Sequence, residues 1–188
     1  MTIAVIYGGK SGEHEISLVS AAAVTRNINK DNKIILIAIT KEGKWYLQDE
    51  EELNRIKADP SAKFIIKENK NSEVFIIPGG GQSRTFCIGN KEIGVDVVFP
   101  VLHGPFGEDG TIQGLFELVD VPYVGCSTLA SAITMDKEKT KVALEQAGIP
   151  VVPGICVRRS DLANWQRYDE ILEEAQSKLG FPLFVKPC

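Results

Sequence analysis

At 188 residues the chain can hold one domain with a sizeable core, or one domain and the beginning of another. A formal net charge of −4, with charges of both signs, supplies no basic groove and argues against nucleic acid as a partner. No segment approaches membrane-spanning length and no secretory leader pattern opens the chain, so a cytoplasmic protein with no membrane partner is expected.

The first element reads as a buried strand, Ile3-Ala4-Val5-Ile6-Tyr7. Gly8-Gly9 breaks it, and a helix follows in which Ile16, Val19 and Ala23 recur at helical spacing. That order opens a parallel α/β fold. The glycine turn fits neither common nucleotide pattern. A P-loop needs another glycine five positions before Gly9, where Ala4 lies inside the strand, and glycines at 8, 9 and 12 do not make the dinucleotide spacing. What remains is a turn that brings backbone close to a ligand and aims a helix N-terminus at it, with Glu13, His14 and Glu15 in the first turn. Glu13 then has two readings. It is an acid stabilised by the helix macrodipole, or a carboxylate that faces a cleft and pairs with a substrate ammonium.

Residues 34–40 read as a second strand, and Lys41-Glu42-Gly43-Lys44 as a turn into Trp45-Tyr46-Leu47. A surface helix and loop are expected over 48–63, with the charges of 48–73 on solvated faces. Short β-like runs at 74–77 and 85–88 flank Gly79-Gly80-Gly81 as an exposed hairpin. Residues 95–99 return to a buried parallel strand, which puts the loop from Leu102 to Gly110 at a strand's carboxyl end. His103 stands where α/β proteins place ligand contacts; the alternative is a loop histidine that is only hydrogen-bonded. Glu108 and Asp109 are expected to hold the loop and cap a helix carrying Ile112, Leu115, Phe116 and Val119, and 122–124 make a short strand.

Asp136 caps a further helix. Lys137 lies just inside its N-terminus, where the macrodipole disfavours a cation, so an anion is called for: Asp136 or a ligand phosphate. Gly148, Pro150 and Pro153 end that helix. Strands at 155–157 and 183–186 flank a helix with Ile171, Leu172, Ala175 and Leu179. Lys186 at the last strand's end would bring an ammonium to whatever binds outside the sheet. Cys87, Cys126, Cys156 and Cys188 have no paired spacing, so neither a zinc site nor a disulfide framework is expected.

Several stretches together resemble the D-alanine:D-alanine ligase family in order and spacing. They are Gly8-Gly9-Lys10-Ser11-Gly12-Glu13-His14-Glu15-Ile16-Ser17-Leu18, then Phe99-Pro100-Val101-Leu102-His103-Gly104 with Gly107-Glu108-Asp109-Gly110, then Ser131-Ala132 through Met135-Asp136-Lys137. Gln113-Gly114, Pro122-Tyr123-Val124-Gly125, Gly148-Ile149-Pro150 and Phe184-Val185-Lys186-Pro187 extend the likeness, while 41–91 carry little of it.

The resemblance implies an α/β chain: a parallel-sheet, Rossmann-like pre-ATP-grasp domain over 1–135 and the first part of an ATP-grasp domain over 136–188. It also implies an enzyme of peptidoglycan precursor synthesis that uses ATP and magnesium to phosphorylate the carboxylate of one D-alanine. The amine of a second D-alanine then attacks the acyl phosphate. Carried over by position, Glu13 is the catalytic candidate and binds the first ammonium, Ile16 lines the pocket for the methyl group, and His103 sits beside the substrate. Lys137 and Lys186 would contact ATP. A cytoplasmic homodimer follows from the same likeness. In the family a phosphate loop and acidic magnesium ligands come after the Val-Lys-Pro motif, so truncation is expected, with no metal ligand in these residues and no ligation by the chain alone. The rivals are a D-alanine:D-lactate or other ATP-grasp ligase, and a non-catalytic module binding an amino acid or nucleotide.

Overall fold

The computed structural model of the chain describes residues 1–186, which form two compact units, residues 1–132 and the residues from Ile133 onward. Pro187, with which the last motif of the resemblance ends, and Cys188 lie outside the described residues.

The first unit opens with β1 (Thr2–Gly8), α1 (His14–Asn27) and β2 (Lys33–Ile39). It continues through β3 (Trp45–Leu47), α2 (Glu50–Ala58), β4 (Phe75–Ile76), β5 (Phe86–Ile88), β6 (Lys91–Ile93), β7 (Val97–Val101) and α3 (Thr111–Val119). The main sheet has the order β3-β2-β1-β7. β1 pairs in parallel with β2, Thr2 opposite Lys33 to Gly8 opposite Ile39, and on its other edge with β7, Ile3 opposite Val97 to Tyr7 opposite Val101. Only β3 runs antiparallel to its neighbour, so the sheet is mixed and mostly parallel. The chain leaves β1 toward β2 and later returns to its other side. That makes the carboxyl ends of β1 and β7 a topological switch point, where open α/β sheets hold ligands.

Burial on both faces explains the unbroken apolar runs. Val5, Tyr7, Leu36 and Ala38 pack with Leu18, Ala21 and Ala22 of α1 and with Ile56 and Phe64. The alternate residues Ala4, Ile6, Ile37 and Ile39 pack with Val74, Phe86 and Val95 and with Ile112, Phe116 and Val119. The expected stripe on α1 is corrected here. Ile16, Val19 and Ala23 face outward, with Ile16 56% exposed, and Leu18, Ala21 and Ala22 face the sheet. The small alanines let the helix approach the strands closely, and Ser17 on the same face finds buried partners. The hairpin differs too. It gains β6 as a third antiparallel strand, and its flanking Val74 and Phe86 are core residues. The short strand expected at 122–124 is reduced to one parallel bridge between Tyr123 and Val98.

Beyond these come α4 (Thr128–Met135), α5 (Lys137–Gln146) and α6 (Trp165–Leu179). Asp136 caps α5 by accepting the Lys139 N–H at 2.9 Å, as its position predicts. Asn164 caps α6, which ends at Gly180 with φ +72°. The strands expected at 155–157 and 183–186 do not form, and Phe184 and Val185 are more than nine-tenths exposed. A strand needs a neighbour for its N–H and C=O groups, and the described part of this unit brings none.

Candidate functional site

Two loops meet at the switch point, the glycine loop after β1 and the loop after β7. Gly8 and Gly9 have φ of +93° and +96°, and a Cβ at Gly8 would lie 2.2 Å from the Ile39 carbonyl oxygen, so only glycine fits there. Buried His14 returns to this loop, its Nδ1 2.7 Å from the Gly9 carbonyl. A carbonyl only accepts, so Nδ1 carries a proton.

Serines join the loops. Fully buried Ser17 accepts the Gly8 N–H at 2.7 Å and donates to the Val101 carbonyl, tying the end of β1 to the end of β7. Ser11 donates to the His103 carbonyl at 2.6 Å and accepts the Glu13 N–H at 3.2 Å.

Glu13 is the N-cap residue of α1, yet its side chain caps nothing. Its neighbour Glu15 pairs with Lys63 at 3.0 Å and Lys41 at 3.4 Å, whereas the Glu13 carboxylate has no ion pair among the described residues. It lies against Gly104, on the loop that carries His103. His103 is half-buried, with Nε2 3.0 Å from Ser20 Oγ and Nδ1 3.8 Å from Glu108 Oε1. Glu108 Oε2 accepts the Gly104 N–H at 2.9 Å. Asp109 accepts from the N–H groups of Phe106 and Thr111. Partial burial pushes its carboxyl up, and those hydrogen bonds outweigh this and hold it below the ordinary range. Both acids hold the loop, as their positions predict, although the helix cap itself is Gly110.

Glu13 and His103 thus come together, while Ile16 lies one helical turn along α1 with its side chain exposed. A cavity of about 540 Å³ opens on the α3 side of the loops, lined by Lys10, Trp45, Leu102, His103, Phe106 and Leu115 among others. Lys10 Nζ stands 5.4 Å from the centre of the Phe106 ring. Glu13 and Ile16 are not in its lining.

In the second unit Lys137 is exposed at the first position of α5 and makes no ion pair among the described residues. Asp136 spends its carboxylate on the Lys139 N–H instead. Lys186 is exposed, without the strand expected to carry it. Among the described residues no group of three or more His, Cys, Asp or Glu could hold a metal ion.

The family described as "D-ala D-ala ligase N-terminus" matches residues 2–126. The chain belongs to that family. It is 48% identical over its whole length to the D-alanine–D-alanine ligase of Treponema denticola, of which it covers 51%. It is 44% identical to that of Bifidobacterium adolescentis, with 98% of this chain and 52% of the relative covered. Among solved structures, the D-alanine-D-alanine ligase of Coxiella burnetii matches with a TM-score of 0.76 and 32% identity, over 93% of this chain and 49% of the other. The VanG D-Ala:D-Ser ligase of Enterococcus faecalis matches with a TM-score of 0.65 and 38% identity, over 96% of this chain and 50% of the other. The chain spans about half the length of the curated relatives it matches.

For a member of the ligase amino-terminal family, the resemblance read from the sequence is borne out. Glu13 and His103 were candidates from their positions after strands, and the two loops that carry them meet. The joining residues Ser11, Ser17 and Ser20 were not singled out. Ser17 and Ser20 are spaced i, i+3 on α1 beside buried Ala21, a polar signal on a sheet-facing helix that could have marked them.

Proposed function

We propose that these residues are the amino-terminal part of an ATP-dependent D-alanine:D-alanine ligase, with the substrate domain over 1–135 and the start of an ATP-grasp domain over 136–188. The observation that supports this best is the meeting of Glu13, a carboxylate without a partner among the described residues, with the His103 loop at the switch point of the sheet. A carboxylate there holds the ammonium of the first D-alanine, Ile16 lines the space for its methyl group, and His103 stands beside its carboxylate end. Lys137 and Lys186 contact the phosphates of ATP. The γ-phosphoryl group passes to the D-alanine carboxylate, leaving ADP. The second D-alanine's amine attacks the acyl carbon, and phosphate departs as the peptide bond forms. Magnesium, which this family reading implies, would need a cluster of acidic ligands that the described residues do not bring together. Peptidoglycan precursor synthesis, a cytoplasmic location and a homodimer accompany the same family reading. No helix among the described residues is long and apolar enough to cross a membrane.

The likeness to VanG supports a second reading, in which the second substrate is D-serine, and the family resemblance adds D-lactate as a third. Dipeptide formation from ATP with D-alanine alone, then with D-serine or D-lactate added, separates the three in the full-length protein. Glu13→Ala there is expected to lower kcat/KM for D-alanine at least tenfold, in line with loss of a charge-assisted hydrogen bond. Unchanged kinetics would remove Glu13 from the site. The 188-residue chain alone is expected to form no dipeptide.

A further inference from the structure

We propose that Ser20 is the positioning residue for His103, donating its hydroxyl to Nε2 and so keeping the imidazole proton on Nδ1, turned toward Glu108. The proposal rests on the reading in which His103 stands beside the amino-acid substrate.

Ser20 projects from the second turn of α1, its Oγ 3.0 Å from Nε2. Among the described residues its hydroxyl has no other partner, so its proton has one protein acceptor. On the far side of the ring a carboxylate can only accept. Glu108 is pinned by the Gly104 N–H on Oε2, which leaves Oε1 facing Nδ1 at 3.8 Å. The negative charge of Glu108 favours the proton on Nδ1, and the Ser20 hydroxyl, which can donate or accept, then completes that tautomer by donating to Nε2. At 3.8 Å that proton is too far from Glu108 to be fully engaged, so it stays available to a substrate oxygen. His103 therefore presents an N–H donor to the carboxylate or acyl-phosphate end of the substrate, while Glu13 serves its ammonium end. The His103 backbone is held independently by Ser11, so removing the Ser20 hydroxyl frees the ring without freeing the loop.

The chain has two histidines, and His14 is a built-in control because its Nδ1 must donate to the Gly9 carbonyl. Long-range proton–nitrogen spectra of the nitrogen-15-labelled chain, taken well above the ordinary histidine pKa, read both tautomers. The wild type is expected to show Nδ1 protonated in both rings. Ser20→Ala, which raises helix propensity at a half-buried position, is expected to move His103 toward the Nε2-protonated form and leave His14 unchanged. Ser20→Thr restores the original signal. Nε2 protonation of His103 in the wild type, or no change in Ser20→Ala, overturns the proposal.

In the full-length protein Ser20→Ala is expected to raise the KM for D-alanine about three- to tenfold with the KM for ATP unchanged, and Ser20→Thr to reverse it. His103→Gln separates the two possible failures. If His103→Gln leaves the kinetics intact, the role of His103 fails. If it impairs them and Ser20→Ala does not, the role of Ser20 fails.

Discussion

Gly104 backs onto the Glu13 carboxylate: a Cβ built at position 104 would lie 3.2 Å from Glu13 Oε2 and 3.4 Å from Ser11 Cβ. Its φ of +69° adds a second reason for glycine, since a side chain in that region costs about 1–2 kcal/mol. Gly104→Ala is therefore expected to lower stability by about that amount and to displace Glu13. Thermal unfolding of the chain checks the first effect, and the KM for D-alanine of the full-length protein, expected to rise several-fold, checks the second. A variant unchanged in both would show that the loops have slack between them.

Ser17 concentrates the link between the loops in one side chain. Its hydroxyl serves the Gly8 N–H and the Val101 carbonyl, and both would be left buried without a partner in Ser17→Ala. Each unsatisfied buried group costs about 1–3 kcal/mol, so a loss of about 2–6 kcal/mol is expected for the pair. Chemical denaturation measures it. Loss of less than about 1 kcal/mol would mean that the loops repack and the hydroxyl is dispensable.

The sheet was legible because strands buried on both faces leave continuous apolar runs, and β1, β2 and β7 are such strands. The orientation of α1 was not. Ile16, Val19 and Ala23 form one apolar stripe and Leu18, Ala21 and Ala22 another, and periodicity alone does not rank them. What turns the second stripe inward is close packing at the alanines and the bonds of Ser17, whose contact with Val101 crosses 84 positions of sequence. The same distance hides Ser11 and Ser20, which reach His103 across 92 and 83 positions. A position after a strand can be read locally, and a contact between two loops cannot.

Glu52 shows the same limit in the charged stretch expected on solvated faces, where it is 1% exposed. It accepts from Arg55 Nη2 at 2.6 Å, from Arg55 Nε at 2.9 Å and from the Ile65 N–H at 3.0 Å. Arg55 also reaches the Lys63 carbonyl, so α2 grips the extended segment beside it. Burial pushes the Glu52 carboxyl up, but the hydrogen bonds from Arg55 and Ile65, with the charges of Arg55 and Lys67, outweigh it and the folded-state pKa is lowered. A lowered folded pKa means that the unfolded chain binds the proton more readily. The stabilisation is complete above the ordinary glutamate value of about 4.3 and is lost as pH falls through the folded value. Thermal unfolding below about pH 4.3 should therefore fall off less steeply in Glu52→Gln than in the wild type. Equal slopes would sink the assignment. At neutral pH, Glu52→Ala strands the Ile65 N–H and Arg55 and is expected to cost about 3 kcal/mol. Arg55→Ala should cost at least as much, because it leaves the buried Glu52 carboxylate without its counter-charge, whereas Arg55, 40% exposed, is solvated when Glu52 is removed.

Lys137 separates stability from function in the opposite direction. It occupies the first position of α5, where the positive end of the helix dipole repels an ammonium. The nearby carboxylate of Asp136 is committed to the Lys139 N–H, and Lys137 has no ion pair among the described residues to offset the repulsion. Replacing it should relieve a local cost: Lys137→Ala is expected to stabilise the chain by a few tenths of a kcal/mol, or to leave it unchanged. If the lysine is kept for a ligand phosphate, the same substitution in the full-length protein raises the KM for ATP several-fold and leaves the KM for D-alanine close to wild type. A loss of stability would instead reveal a structural partner for Lys137. Unchanged ATP kinetics would return it to the solvated surface, since only an anion supplied from outside these residues compensates a cation held at a helix N-terminus.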